Sequence, residues 1–264
     1  MTATRRNLVI SPIGEGSVHE SWLDQPELRT FDLFLINYSD HADWGRTAAD
    51  HYVERKGFKY ELLDHVLKHH RATLDRYTNI WCPDADIRAS TCDVNRLFDL
   101  FEKYALQLAQ PAIASGEMSY ETLRQRPGVV LRYSPYVEVM CPLFTRKALT
   151  KVAPTLLESR SGWGLDWVWP RMFAQHEMAI LDAVGVEHTG KLWRGENYQK
   201  LANLGIDPGA EFESVVAKYG GIDRRLHRKF VRGRIKLPAI CETGYRHGLV
   251  ARLKTRFGWQ GEAA

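Results

Sequence analysis

The sequence has little cysteine and no long apolar run. Its 264 residues include only four cysteines, and no two of them form a C-x-x-C pair. This spacing argues against a disulfide framework and a cysteine zinc site, and favours buried free thiols. No apolar stretch approaches the ~18 residues that span a bilayer, and the first apolar segment is short and ends at Pro12 and Gly14. We therefore predict a cytoplasmic protein.

Several catalytic signatures are also missing. The chain contains no P-loop, no G-x-G-x-x-G and no G-x-S-x-G. Their absence argues against ATPases, dinucleotide-binding enzymes and α/β-hydrolases. With 44% hydrophobic and 26% charged residues and no repeat, the composition is that of a folded globular chain with a sizeable core.

Charge is unevenly distributed along the chain. Residues 224–264 hold eleven Lys/Arg against Glu242 and Glu262, a net charge of +9, whereas the whole chain carries +4. This asymmetry predicts a body of residues 1–200 followed by a basic, mainly helical extension of residues 201–264. Because apolar residues are interleaved with basic ones over 224–257, this segment could lie on an anionic membrane surface at the inner face of the cell membrane. A nucleic-acid arm and a solvated helix are the alternatives.

Apolar β-rich segments alternate with helical patterns in the body. This alternation predicts an α/β fold with a mostly parallel, Rossmann-like sheet flanked by helices. The expected strands cover residues 7–14, 31–40, 78–87, 110–114 and 136–145. The expected helices cover residues 59–77, 93–109 with Asp93 as the cap, and 146–157. Residues 179–190 fit either a helix end or a strand followed by a turn.

Ligands of such sheets bind beyond the carboxyl ends of the strands, so the residues that follow each strand are candidate site residues. Asp84 and Asp86 follow the third strand, and two carboxylates with this spacing can approach one Mg²⁺ or Mn²⁺ together with a diphosphate. The alternative is that Asp84 caps a turn and Asp86 is merely solvated. The candidates after the first two strands are Pro12, Ile13, Gly14, Tyr38 and Asp40.

Three motifs occur in a familiar order. They are D-A-D at Asp84–Asp86, E-V-M-C-P-L-F-T-R at Glu138–Arg146, and G-W-G-L-D at Gly162–Asp166. With them, residues 7–192 resemble the DUF707 family of glycosyltransferase-like proteins and, more broadly, the GT-A glycosyltransferase fold. The chain departs from the family pattern beside the D-x-D, where the family has a further acid and this chain has Pro83 and Ala85.

The resemblance implies a GT-A-like enzyme that moves a sugar from a nucleotide-diphosphate-sugar, with a UDP-sugar as the expected donor, to a glycan or lipid-linked acceptor. It implies a Mn²⁺ or Mg²⁺ ion held by Asp84, Asp86 and His188, which offsets charge on the departing diphosphate. Lys59 and Lys191 are expected on the donor side, where Lys191 could contact a phosphate as a point charge or could equally be solvated. Taken alone, His188 could equally be a packed histidine.

The resemblance also implies an acceptor-activating base. Asp166 corresponds to that acid, and Glu138 is the next candidate. Asp166 could instead cap a helix, and Glu138 could be either salt-bridged or exposed into the acceptor cleft. The tryptophans around Asp166 fit a loop that approaches a sugar face, although Trp167 and Trp169 could simply pack in the core.

Three functions remain open from the sequence. The first is a nucleotide-sugar glycosyltransferase, supported by the order of the D-x-D, Asp166 and His188 on an α/β pattern. The second is a non-catalytic sugar- or nucleotide-binding protein of the same fold. The third is a nucleic-acid-binding protein that acts through the basic extension, although nucleic acid is not the expected partner.

Overall fold

The computed structural model describes residues 5–194, 196–242 and 244–245, of which residues 196, 197, 244 and 245 are described by their backbone alone. The strands are β1 (Asn7–Ile13), β2 (Phe31–Asn37), β3 (His51–Glu54), β4 (Asn79–Trp81), β5 (Ile87–Arg88), β6 (Leu108–Gly116), β7 (Val129–Tyr133), β8 (Leu143–Thr145), β9 (Met178–His188), β10 (Ala239–Cys241) and β11 (Gly244–Tyr245). The helices are α1 (Lys59–His69), α2 (Arg71–Leu74), α3 (Thr91–Lys103), α4 (Arg146–Val152), α5 (Leu165–Val168), α6 (Glu196–Asn203), α7 (Pro208–Lys218) and α8 (Arg224–Val231).

The strands form one mixed sheet in the order β11-β10-β7-β9-β6-β8-β4-β1-β2-β3, and β5 pairs with β9. Most paired residues lie in parallel pairs, which join β1 to β2 and β4, β2 to β3, and β6 to β9. Because β8 is antiparallel to both β4 and β6, strands β4, β6 and β9 run in the same direction. The ends of β1, β2, β4 and β9 therefore meet at one edge of the sheet, and the predicted α/β class with a mostly parallel sheet is confirmed.

Both faces of the sheet are covered by helices. Alternate residues of β1 point to opposite faces, so Val9 and Ile13 belong to one apolar cluster while Leu8 and Ile10 belong to the other. The first cluster is completed by Leu97, Phe98 and Phe101 of α3, and the second by residues of α1 and α4. This two-sided burial explains why the central strands are apolar almost without interruption.

Several predicted elements differ in extent. The helix predicted over 59–77 is interrupted at His70, whose φ of −120° and ψ of 30° are not helical, so that it forms α1 and the short α2. Helix α3 is capped by Ser90, and Asp93 is instead the third residue of a reciprocal capping box, since it accepts the Ser90 backbone N–H. In the helix predicted over 146–157, α4 changes to a 3₁₀ helix over Ala153–Glu158, which contains Pro154.

The strand predicted over 136–145 was wrong over most of its length. Only β8 is extended in a ladder, and residues 136–142 form an irregular segment that is largely buried. Its apolar residues fill the interior without belonging to a strand. The apolar pattern of the sequence indicates burial but not backbone hydrogen bonding, which is why this segment was predicted as a strand. Of the two alternatives for 179–190, the strand is correct and corresponds to β9.

The basic extension is only partly helical. Helices α6, α7 and α8 follow residue 195, but β10 then pairs with β7 and continues the main sheet. The division into residues 1–200 and 201–264 stays a prediction, although residue 200 lies inside α6. The predicted interfacial segment reaches residue 257, and residues 243 and 246–257 lie outside the described part of the chain.

A buried ion pair joins β7 to β9. Asp182 accepts from Nε and Nη2 of Arg132 at 2.7 and 2.9 Å, and both side chains are almost wholly buried. The same guanidinium donates to the carbonyls of Thr122 and Arg124, and Asp182 also accepts the Arg126 backbone N–H. Every charged atom of the pair is therefore hydrogen-bonded, as burial of two charges requires.

We expect Asp182→Ala to lower the free energy of unfolding by about 3–5 kcal/mol, because it leaves the Arg132 charge buried without its partner. Denaturant unfolding followed by circular dichroism measures the effect. Asp75→Ala is the matched control: Asp75 pairs with Arg146 at the surface at 3.0 Å, and its removal is expected to cost at most about 1 kcal/mol. Equal costs for the two variants would contradict this account of the core.

Candidate functional site

A cavity of about 490 Å³ opens at the carboxyl edge of the sheet. The residues that line it come from the ends of strands, from the segment 136–140, and from the loops around 161–166 and 188–194. Nine of the predicted site residues line this one cavity: Pro12, Tyr38, Lys59, Asp84, Asp86, Glu138, Asp166, His188 and Lys191.

The structure places three of the predicted donor-binding residues elsewhere. Ile13 is fully buried in the core beneath the sheet edge. Gly14 lies against Tyr38, since a Cβ built on it would lie 2.8 Å from the tyrosine ring. Asp40 is almost fully exposed and pairs with Lys56 at 2.5 Å. The donor-binding role of these residues stays a prediction, but none of the three lines the cavity.

A tight turn after β4 brings the two D-x-D carboxylates together. The Ile87 N–H bonds the Asp84 carbonyl at 3.2 Å, and the Ser11 hydroxyl bonds the carbonyl of Pro83 at 3.0 Å. Lys59 lies 2.6 Å from Oδ1 of Asp84 and donates to the carbonyls of Val139 and Met140 at 2.8 and 2.7 Å. All three donors of this ammonium are thus used within the protein, so Lys59 orients Asp84 rather than offering a free donor to a phosphate.

Asp86 faces His188 across the edge of the sheet. Oδ2 of Asp86 lies 3.3 Å from Nε2 of His188, and Nδ1 of His188 donates to the carbonyl of Glu117 at 2.7 Å. Burial by itself lowers the pKa of His188, but the hydrogen bond and the charge of Asp86 outweigh it and raise the pKa to about 9. Gly190 makes this approach possible, because a Cβ there would lie 2.1 Å from Oδ2 of Asp86.

The arrangement fits a divalent cation. Oδ1 of Asp86 is buried and has no hydrogen-bond partner among the residues that the structure describes. The bond from Nδ1 to a carbonyl orients Nε2 toward the cavity side, as in metal-binding histidines, and carboxylate oxygens suit Mg²⁺ and Mn²⁺. In this structure Nε2 pairs with Asp86, so a cation would have to replace its proton. Within the described ranges no three His, Cys, Asp or Glu side chains converge as a complete metal site. Asp86 and His188 are thus two residues that could contribute ligands to a cation shared with phosphate oxygens, and a metal role for them stays a prediction.

Asp166 lies in the first turn of α5 and is buried. It accepts a hydrogen bond of 2.7 Å from the hydroxyl of Tyr136, which is itself fully buried. Gly164, with φ of 92°, occupies the cap position of this helix, and the Asp166 carboxyl also binds backbone N–H groups of Gly164, Asp166 and Trp167 at the helix start. Burial raises the pKa of Asp166 to about 7, while the bond from Tyr136 works in the opposite direction. A carboxyl with this pKa exchanges protons near neutrality.

The sequence left open whether Glu138 is salt-bridged or exposed into the acceptor cleft; it lines the cavity, and no salt bridge to it occurs among the described residues. It is 3% exposed, and its Oε2 has no partner in the described part of the chain. Burial raises its pKa to about 7, and the nearby charge of Asp166 contributes to the increase while a hydrogen bond with Ser119 opposes it. Two carboxyl groups that border one cavity thus both titrate close to neutral pH.

Sequence reasoning missed several cavity residues. Tyr136, Gly190, Trp193 and Tyr198 all line the cavity. Tyr136 lies two residues before Glu138, and Gly190 lies two residues after His188. For these two, closeness in sequence to a predicted site residue was the signal that could have identified them. Trp169 packs against Tyr60 and Phe144 in the core, as the simpler interpretation of that tryptophan predicted.

The basic helix α8 presents its charges outward. Phe230 is fully buried, while Arg225, Arg228 and Lys229 are exposed and Arg224 pairs with Glu213. Contact of this face with a membrane stays a prediction. None of the helices in the described ranges has the length and apolarity that crossing a bilayer requires.

Comparison with known proteins shows likeness of fold rather than of sequence. No protein-family model matches the chain, and no curated protein matches it. The 1–349 segment of S. aureus TarS is similar in structure, with a TM-score of 0.50 and 10% sequence identity, over 80% of this chain and 69% of that one. The same segment in complex with UDP-GlcNAc has a TM-score of 0.46 and 10% sequence identity, over 80% of this chain and 71% of that one. A197 from STIV has a TM-score of 0.39 and 12% sequence identity, over 70% of this chain and 86% of that one. The likeness to TarS supports the GT-A-like α/β fold.

Asp166 makes a pH-dependent contribution to stability. Its pKa is raised from 3.8 to about 7 in the folded state, so the contribution is fully present below pH 4 and is lost as pH rises through 7. We expect the free energy of unfolding of the wild type to fall between pH 4 and 8 relative to Asp166→Asn, by on the order of 3 kcal/mol. Denaturant unfolding at several pH values measures this difference. A constant difference across that range would contradict the buried, ionisable assignment.

Proposed function

We propose that the protein is a glycosyltransferase that moves a sugar from a nucleotide-diphosphate-sugar to a glycan or lipid-linked acceptor. The observation that carries this proposal is the convergence of Asp84, Asp86 and His188 with Asp166 and Glu138 around one cavity at the carboxyl edge of an α/β sheet. Asp84, Asp86 and His188 suit the binding of a cation and a diphosphate, whereas Asp166 and Glu138 suit proton transfer. The family motifs described above support membership of the DUF707 family, which stays a proposal.

The charges at the cavity favour a cation on the donor side. Asp84 and Asp86 would repel a diphosphate, and Lys59 is already bonded to Asp84. A Mn²⁺ or Mg²⁺ ion held by Asp86 and His188, with Asp84 beside it, would offset this repulsion and the charge of the departing nucleoside diphosphate. Lys191 lines the same cavity and could contact a phosphate as a point charge. TarS has been crystallised with UDP-GlcNAc, which makes UDP a suitable first probe.

Asp166 is the proposed general base. As the acceptor oxygen forms its bond to the anomeric carbon and the bond from that carbon to the diphosphate breaks, the hydroxyl proton passes to the carboxylate of Asp166. The bond from Tyr136 holds this carboxylate in one orientation and favours its ionised form. Glu138, with one oxygen lacking a partner, could bind a sugar hydroxyl beside the reacting centre.

The donor site is tested by thermal unfolding with Mn²⁺ and UDP. We expect the two together to stabilise the wild type by about 2.7 kcal/mol at a hundredfold excess over Kd, and Asp86→Ala to lose this stabilisation. Asp40→Ala is the matched control, because the Asp40 side chain lies outside the cavity. Undiminished stabilisation of Asp86→Ala by Mn²⁺ and UDP would overturn the assignment.

The base is tested by turnover. We expect Asp166→Asn to bind Mn²⁺ and UDP normally but to release UDP from UDP-sugars about 10²–10⁴-fold more slowly than the wild type, the usual scale for loss of a general base. Normal turnover in Asp166→Asn, combined with a large loss in Glu138→Gln, would move the role to Glu138. Binding of UDP without turnover of any UDP-sugar by the wild type would favour the non-catalytic binding protein.

A further inference from the structure

Three aromatic rings lie together at the rim of the cavity. The ring centroids of Trp163 and Trp193 are 4.7 Å apart at an interplanar angle of 73°. The ring centroid of Tyr198 lies 6.4 Å from that of Trp193. The indole N–H of Trp163 donates to the Tyr198 hydroxyl at 3.3 Å. All three residues line the cavity, and we refer to them as the rim cluster.

Trp193 is placed in a way that core packing does not explain. Its side chain is 52% exposed, and its φ of 60° lies in the left-handed region, which residues with a side chain adopt at a cost. Its loop is held by a bond of 2.8 Å from the Leu192 N–H to Glu117. A large apolar ring is thus held in solvent at the mouth of a functional cavity, where such rings commonly mark a binding surface.

The rim cluster connects the two chemical groups of the site. Trp193 lies five residues after His188, and Trp163 lies three residues before Asp166. Both rings line the cavity that Asp166 also borders, so a ligand on them can extend into the cavity toward the proposed base. The exposure of Trp193 suits a ligand that continues from the cavity into solvent, as an oligosaccharide does.

We propose that the rim cluster binds the ring face of a sugar in a glycan acceptor, next to the sugar that receives the transferred group. This inference rests on the proposed function and names the acceptor class. The C–H groups on one face of a pyranose ring form an apolar surface that packs on an aromatic ring, while its hydroxyl groups stay at the edge and bind water. A nucleobase is the other flat ligand that these rings could bind, and oligosaccharide binding distinguishes it from a sugar ring.

The test uses the full chain on an array of oligosaccharides of two to six hexose or N-acetylhexosamine units. Trp193→Gly removes the indole at a position whose backbone favours glycine, so the variant is expected to fold. We expect it to bind its oligosaccharides about tenfold more weakly than the wild type while keeping the stabilisation by Mn²⁺ and UDP. Trp44→Ala is the matched control, because Trp44 is also exposed but does not line the cavity.

The outcomes distinguish this inference from the proposed function. Unchanged oligosaccharide binding in Trp193→Gly, or no oligosaccharide binding by the wild type, would overturn the inference. Loss of the stabilisation by Mn²⁺ and UDP in Trp193→Gly, with oligosaccharide binding intact, would assign the rim cluster to the nucleobase. A wild type that is not stabilised by Mn²⁺ and UDP would count against the proposed function, whatever its oligosaccharide binding.

Discussion

The ion pair between Arg132 and Asp182 is the interaction on which the site side of the sheet depends. Strand β9 does not pair with β6 in a single register. The register shifts between Pro111 and Ala112, where the chain of β9 bulges over residues 182–184. Pro111 has no N–H to offer a ladder, which is why a proline inside a sheet is found at such a bulge. Asp182 begins the bulge and is held there by Arg132, and the Gln125 side chain bonds its carbonyl at 2.9 Å. Beyond the bulge Gly185 pairs with Ala112, and a second shift between Ile113 and Ser115 brings His188 opposite Gly116.

The carboxylates around the cavity are balanced in two different ways. Asp84 and Asp86 have basic neighbours, Lys59 and His188, although burial still raises the pKa of Asp84 more than Lys59 lowers it. Asp166 and Glu138 have no basic partner at hydrogen-bonding distance in the described part of the chain, and burial raises the pKa of both to about 7. Asp84 and Asp86 therefore have cationic neighbours that can offset a negative charge, whereas Asp166 and Glu138 are suited to exchange protons.

The sequence predicted well whatever depends on local pattern. The strands β1, β2 and β6 and the position of the D-x-D after β4 follow from apolar runs and their ends, and the structure confirms them. The segment 136–142 was misassigned, because its apolar residues are buried without forming a ladder. The bond from Tyr136 to Asp166 joins residues 30 positions apart, and no spacing rule predicts such a contact. Pairing of β10 with β7 was hidden in the same way, since the basic composition of that region pointed to helix alone.

Gly190 has a consequence for how this site can change over evolutionary time. A methyl group at this position would overlap Oδ2 of Asp86 and lie 3.2 Å from Nε2 of His188. A larger residue at 190 therefore requires the Asp86 carboxyl group to rotate away, residue 86 to become shorter or the two loops to separate, and each change disturbs the pair of candidate ligands. Positions 86 and 190 are far apart in the gene, but a substitution at 190 directly affects the placement of the side chain at 86. Libraries built to alter the specificity of this protein should vary them together or leave both unchanged.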